Sequence, residues 1–267
     1  DLGARRACGP RPLRTTLRRD LPGAVAALGL LPVIVYVASW AGWFASSEGW
    51  GRQAAAGRYD ALPRLLGSSA EALAALGAYH RAALEFHTGL STPHLYASQP
   101  AQWLPLSHPV VYAYEGVDAG RPGCSAVEGC VREVLAVGTP ALWWVGSLAL
   151  VGVLGLWLAR RDWRAAAVLA MTAALLVPWF ALPDRTMFLF YALPALPFLV
   201  LGLVLLAGVA LGPATASRRR RVVAATVVGA YVLLVAADTA YLLPVLTAET
   251  IPLSEWRERM WFPSWIR

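Results

Sequence analysis

Residues 137–164 read VGTPALWWVGSLALVGVLGLWLARRDWR, and the reading of this stretch decides the fold. From Val137 to Ala159 it carries no charged side chain, and as a helix it is long enough to cross the roughly 30 Å hydrocarbon core of a bilayer, which takes about 20 residues. It ends on Arg160-Arg161, side chains that belong at headgroup level. Hydrocarbon offers the backbone no water, so such a run must close its own hydrogen bonds as a helix.

Outward from this stretch the pattern recurs. Runs at about 21–46, 165–183, 186–211 and 222–247 have the same character, giving five expected transmembrane helices. They account for a chain that is 58% hydrophobic, 15% charged and +0.53 in mean hydropathy over 267 residues, outside the range of soluble domains. The expected class is an all-α polytopic membrane protein. The 23 basic residues are all arginine, which speaks for a GC-rich genome, and most sit beside the spans, so no nucleic-acid partner is expected.

Arginine placement sets the topology, because short cytoplasmic connections collect basic residues. The basic segment 1–20, the connection with Arg160, Arg161 and Arg164, and the run Arg218–Arg221 fall on one side. The amino end is therefore expected inside and the C-terminal tail, 248–267, outside, in the plasma membrane. Trp40, Trp43, Trp143, Trp144 and Trp179 lie near the expected outer ends, where indoles commonly anchor. The chain starts at Asp1 with no methionine before Met171, so a fragment of a longer protein is expected.

The expected extracytoplasmic loop spans 47–136. Ser68 and Glu71 form a candidate capping box opening a helix at about 69–90, in which Leu73, Leu76, His80, Leu84 and His87 share one face. That amphipathic helix could lie on the membrane surface. A proline-rich segment follows, with Pro93, Pro100, Pro105 and Pro109. Further on, Cys124 and Cys130 stand six positions apart on the side where disulfides persist, so a small-loop bridge is expected. Cys8, on the inner side, is expected as a free thiol.

All four histidines, His80, His87, His94 and His108, lie in this loop. Helical metal sites place ligands at i and i+4, whereas His80 and His87 stand about 10 Å apart along the axis at 1.5 Å per residue. No carboxylate or cysteine cluster completes a set, so neither a metal nor a cofactor is expected, and the histidines are candidates for the loop surface. Serine-nucleophile and glycine-rich phosphate motifs are missing from the sequence. Two ionisable residues at the membrane carry more information. Arg185, at the outer boundary, has the planar donor fork that suits a lipid-carrier phosphate. Asp238 falls within the fifth span, where a carboxylate is costly, and either a functional role or a pairing with Arg185 or Tyr241 would account for it.

Several separated stretches resemble the protein O-mannosyltransferase family. YHRAALEFHTGLSTPHLYASQPAQWLPLSHPVVYAYEG at 79–116 is similar to its external-loop signature, and VREVLAVGTPALWW at 131–144 to the entry of its C-terminal four-span block. RTMFLFYALPALPFLVLGL at 185–203 resembles its next-to-last span, and RMWFPSWI at 259–266 its C-terminal end. The first span, PVIVYVASWAGWF, resembles the helix before the large loop. Leu95, His108, Thr139 and Ala192 depart from the family pattern, which weakens roles assigned at those sites.

The resemblance implies the C-terminal half of a GT-C-type glycosyltransferase of an actinobacterial kind. It implies transfer of mannose from a polyprenyl-phosphate-mannose donor to Ser or Thr hydroxyls of exported proteins, with inversion at the sugar carbon. Membrane lipids are implied neighbours, and coupling to the secretion translocon is an implied possibility. The acidic catalytic residues are expected in an amino-terminal loop that this chain does not contain, so no catalytic residue is expected here and the fragment alone is expected to be inactive. The alternatives are another polyprenyl-phosphate-sugar glycosyltransferase, or a non-catalytic membrane scaffold or transporter subunit; no internal repeat of the transporter kind is present among the five spans.

Overall fold

The computed structural model describes residues 17–61 and 63–266. Most of the basic segment 1–20, with Cys8, lies outside them. Among the described residues, five helices are long and apolar enough to cross a membrane: Leu21–Ser39, Pro140–Arg160, Trp163–Ala181, Leu189–Leu211 and Arg218–Leu246. The chain divides after His87 into two compact units.

In the first unit, α1 (Leu21–Ser39) includes a π-helical stretch at Ala26–Leu30 and breaks at Trp40, with α2 (Ala41–Ala45) following. The expected span 21–46 is thus two helices. Helix α3 (Arg64–Gly89) starts five residues ahead of the expected 69. Ser68 lies inside the helix, and Glu71, expected to cap it, accepts the backbone N–H of Gly57 at 2.8 Å. Pro63 explains the earlier start: its carbonyl accepts from Gly67 N–H, and a fixed φ suits the residue that opens a helix. The buried stripe of α3 is Ala72, Ala75 and Leu76, whereas Leu73 and Leu84 are 55% and 64% exposed. The expected apolar face is therefore rotated toward the small residues, which allow closer approach.

The second unit holds four of the long helices. Helix α4 (Pro140–Arg160) packs against α5 (Trp163–Leu176) and α6 (Leu196–Leu211). The α4–α6 contact is close because glycines line it. A Cβ on Gly146 would stand 3.1 Å from Leu199 Cβ, and one on Gly152 would stand 2.8 Å from Leu206 Cδ1. Small residues let helix backbones approach where lipid supplies no hydrophobic drive. Asp162 caps α5, accepting from Arg164 N at 3.0 Å, and the Arg164 guanidinium holds its carboxyl down at about 2. Ser217 caps α7 (Arg218–Leu246). In this unit the long helices run over Pro140–Arg160, Trp163–Ala181, Leu189–Leu211 and Arg218–Leu246, where the sequence suggested about 137–159, 165–183, 186–211 and 222–247.

Beside this helical framework lies a small antiparallel sheet that the sequence reading did not include. Strands β1 (Val110–Val117) and β2 (Cys130–Ala136) form a hairpin, with β3 (Ile251–Pro252) along β2. Helix α8 (Leu253–Arg259) follows directly. The hairpin loop carries a Cys124–Cys130 disulfide, with the Cα atoms 5.7 Å apart. Val131, Glu133 and Leu135 of β2 alternate into the core, as a half-buried strand requires.

Glu133 is a buried carboxylate that accepts the indole N–H of Trp256. Burial pushes its pKa above the ordinary carboxyl range, partly countered by that hydrogen bond. A carboxyl raised in the fold contributes stability that is full below its unfolded pKa and is lost as pH rises through the folded value. Glu133→Gln keeps an acceptor for Trp256, so its thermal midpoint is expected above wild type at pH 7.5, with the gap closing toward about pH 4. A variant less stable than wild type at pH 7.5 would contradict this.

Candidate functional site

Parts of the stretches at 88–116, 131–144 and 259–266 meet in the second unit, where indole N–H groups hold them together. Trp103 donates to Ser98 Oγ at 3.0 Å. Trp143 and Trp144, from the first turn of α4, donate to the carbonyls of Trp103 and Pro105, each at 3.0 Å. Trp265, near the C-terminus, donates to the carbonyl of Leu106 at 2.7 Å. Three carbonyls within four residues thus each accept an indole.

Leu106 makes this possible. It is fully buried with φ 59°, a left-handed conformation that an L-residue adopts at a cost. The turn aims neighbouring carbonyls at different elements, and the surrounding indoles hold it. Trp103, Trp143 and Trp265 are almost completely buried, so they act as internal staples rather than headgroup anchors. The Ser264 hydroxyl adds a bond to the carbonyl of Ser107.

The segment 90–109 also lies along the approach to α6. Ser98 N–H donates to Met187 O at 2.8 Å, Thr186 N–H to Leu90 O at 2.9 Å, and Gln99 Nε2 to Pro183 O at 3.0 Å. The His94 ring sits edge-on to Phe188, centroids 5.0 Å apart, and its Nδ1 accepts from Tyr96 N–H at 3.2 Å.

Arg185 lies at this junction, 8% exposed. Its guanidinium carbon is 5.2 Å from the ring centre of Trp179 and 5.3 Å from that of Tyr191, within cation–π range. Those two rings are 5.0 Å apart, and Trp103 stands 6.3 and 6.1 Å from them. The aromatic wall of Trp103, Trp179 and Tyr191 was not singled out around Arg185 by the sequence reading. The signal was the aromatics of QWLP, VPWF and FLFY, but only the fold brings them to one point.

Asp238 of α7 is buried, and its Oδ2 accepts the N–H of Ala141 at 2.7 Å. Ala141 is in the first turn of α4, so the carboxylate of one helix satisfies an open amide at the positive end of another. Beside it, Thr139 and Thr239 share a hydroxyl contact at 3.2 Å, and Tyr231 donates to Ala141 O at 3.2 Å. The hydrogen bond to Asp238 therefore comes from Ala141, in place of the expected Arg185 or Tyr241. Tyr241 instead lies under the Arg259 guanidinium, 4.7 Å from its ring centre.

His80 and His87 belong to the first unit, His94 and His108 to the second. His80 and Tyr36 are hydrogen-bonded in the first unit, where the His80 Nδ1 also meets Leu76 O at 2.7 Å. His87 is exposed near the end of α3, against Phe86. His108 is half-buried in the turn before β1. Among the described residues no group of three or more His, Cys, Asp or Glu could hold a metal ion.

Comparison with known proteins gives a consistent result. Residues 73–265 match the family model for the C-terminal four TMM region of protein-O-mannosyltransferase. Polyprenol-phosphate-mannose–protein mannosyltransferases from Mycolicibacterium smegmatis and Mycobacterium tuberculosis are each 39% identical, over 96% and 99% of this chain. The Corynebacterium glutamicum protein of the same name is 31% identical over 99%. The chain spans about half the length of these relatives, 49 to 51%. Among solved structures, the Saccharomyces cerevisiae protein O-mannosyltransferase Pmt1–Pmt2 complex bound to the sugar donor superposes with a TM-score of 0.54 at 18% identity, covering 76% of this chain and 27% of that one, a likeness of fold. With its multi-pass helices and a match running from Leu73 to Trp265, the chain belongs to the protein-O-mannosyltransferase family and carries its C-terminal four-span region.

Proposed function

We propose that this chain is the C-terminal half of an enzyme that transfers mannose from polyprenyl-phosphate-mannose to Ser or Thr hydroxyls of exported proteins. The observation that carries this reading is the 39% identity, over nearly the whole chain, to proteins named for that donor and for protein acceptors. The names of these relatives favour it over the rival sugar-transferase, scaffold and transporter readings.

Chemically, transfer to a hydroxyl needs a base for the proton and stabilisation of the departing phosphate. The base is assigned to the amino-terminal part of the enzyme. Arg185 is assigned to the donor phosphate. It lies at a span boundary with its guanidinium carbon 5.2 and 5.3 Å from the Trp179 and Tyr191 ring centres, and its planar donor fork is of the kind that suits a phosphate. Asp238 is assigned a capping role that fixes the first turn of α4. His94 and His108 are assigned to the loop surface near the acceptor entrance. His80, His87 and the Cys124–Cys130 bridge are assigned to shaping and bracing the external region. The amino end is assigned to the cytoplasm and the carboxyl end to the exterior of the plasma membrane. Coupling to the secretion translocon would suit acceptors that are modified while being exported.

Deleting the gene in its host should remove hexose from Ser and Thr of exported proteins, and the intact gene should restore it. Unchanged modification in the deletion strain would count against the reading.

A further inference from the structure

The end of the second unit that lies away from the indole-held turn carries a different feature. A cavity of about 540 Å³ opens there, lined by Arg160, Arg164 and Arg220 together with Val204, Leu205 and Val209. It sits at the C-terminal ends of α4 and α6, about 30 Å from Pro140 by helical rise. A second, apolar groove of about 370 Å³ runs between α5 and α6, past Trp163, Ala167, Met171, Phe198 and Leu201. Arg164, Val204 and Leu205 line both.

The charge at the basic mouth is one-sided. Asp162 is the only acidic residue in 160–164 and 212–221, and it is engaged by Arg164 at 2.7 Å and by the start of α5. Arg220 donates through Nε to Ala210 O at 2.9 Å and through one terminal nitrogen to Val209 O at 2.7 Å. Those bonds fix its plane in the cavity wall and cap α6. Arg160, in the last turn of α4, lines the same space.

We infer that this basic cavity and the adjoining groove form a binding site for an anionic diacyl phospholipid, distinct from the sugar-donor region. The phosphate sits among Arg160, Arg164 and Arg220, and one acyl chain follows the groove between α5 and α6. Basic pockets between spans suit phosphate headgroups. The continuous apolar groove is what favours a lipid over free phosphate.

The test uses the intact, delipidated protein in detergent, with bound lipid counted by native mass spectrometry during titration. Phosphatidylglycerol is expected to bind in preference to phosphatidylcholine. Arg160→Gln with Arg164→Gln should weaken it by roughly fivefold per arginine, while Arg218→Gln with Arg219→Gln, which removes equal charge outside the cavity lining, should change it less than about twofold. Ala167→Trp, filling the groove with every arginine intact, should also weaken it and decides the matter if the arginine variant does not fold. Equal losses from both arginine pairs, displacement by inorganic phosphate or polyprenyl phosphate at similar concentrations, or no preference over phosphatidylcholine would overturn the proposal.

Discussion

Replacing Trp103 with alanine is expected to cost the intact protein about 3–5 kcal/mol, the range for deleting a fully buried large aromatic. Its indole is completely buried, donates to Ser98 Oγ and stands against Trp179 and Tyr191. The backbone carbonyl that receives Trp143 survives the substitution, but the turn holding it loses its central side chain. Trp103→Phe keeps most of the apolar surface and leaves the Ser98 hydroxyl unmatched, so about 1–3 kcal/mol is expected. Thermal unfolding in detergent, with limited proteolysis of the 98–107 turn, measures both. Equal stability of Trp103→Ala and wild type would refute the staple.

The second large effect concerns Arg185. Substitution by alanine removes a charged donor from the proposed phosphate position, a loss of about 1.5–3 kcal/mol in transition-state binding. This corresponds to a fall in kcat/KM of roughly 10- to 150-fold. The KM for the lipid donor should rise while that for an acceptor peptide stays constant. Arg185→Lys should recover little, since an ammonium keeps the charge but loses the planar fork that suits a phosphate. A donor KM unchanged in Arg185→Ala would leave Arg185 with a packing role only.

The spans were legible because each needs only a long apolar run, and Arg160, Arg218 and their neighbours mark the ends. The family was legible through whole motifs such as VGTPALWW. The site was less so. Arg185 was singled out by its charge at a boundary, but the rings facing it come from residues 103, 179 and 191, and no local period links those positions. Asp238 was singled out by the cost of a carboxylate in a span, whereas its partner is a backbone amide, which no side-chain inventory contains. The β1–β2 hairpin was missed because the segment reads as part of the external loop, although Val131, Glu133 and Leu135 repeat every second residue. Glu133 further disguised the pattern by placing a charge on the buried face.

Mannosyl transfer itself is the most direct measurement. Membranes containing the full-length protein, given polyprenyl-phosphate-[³H]mannose and a Ser/Thr-rich peptide from an exported protein, should yield alkali-labile label on the peptide. The same membranes given a peptide with those hydroxyls replaced by alanine should yield none. Label that fails to reach the peptide, or that collects on a lipid or glycan instead, would contradict the assignment of this chain to a protein O-mannosyltransferase acting on that donor.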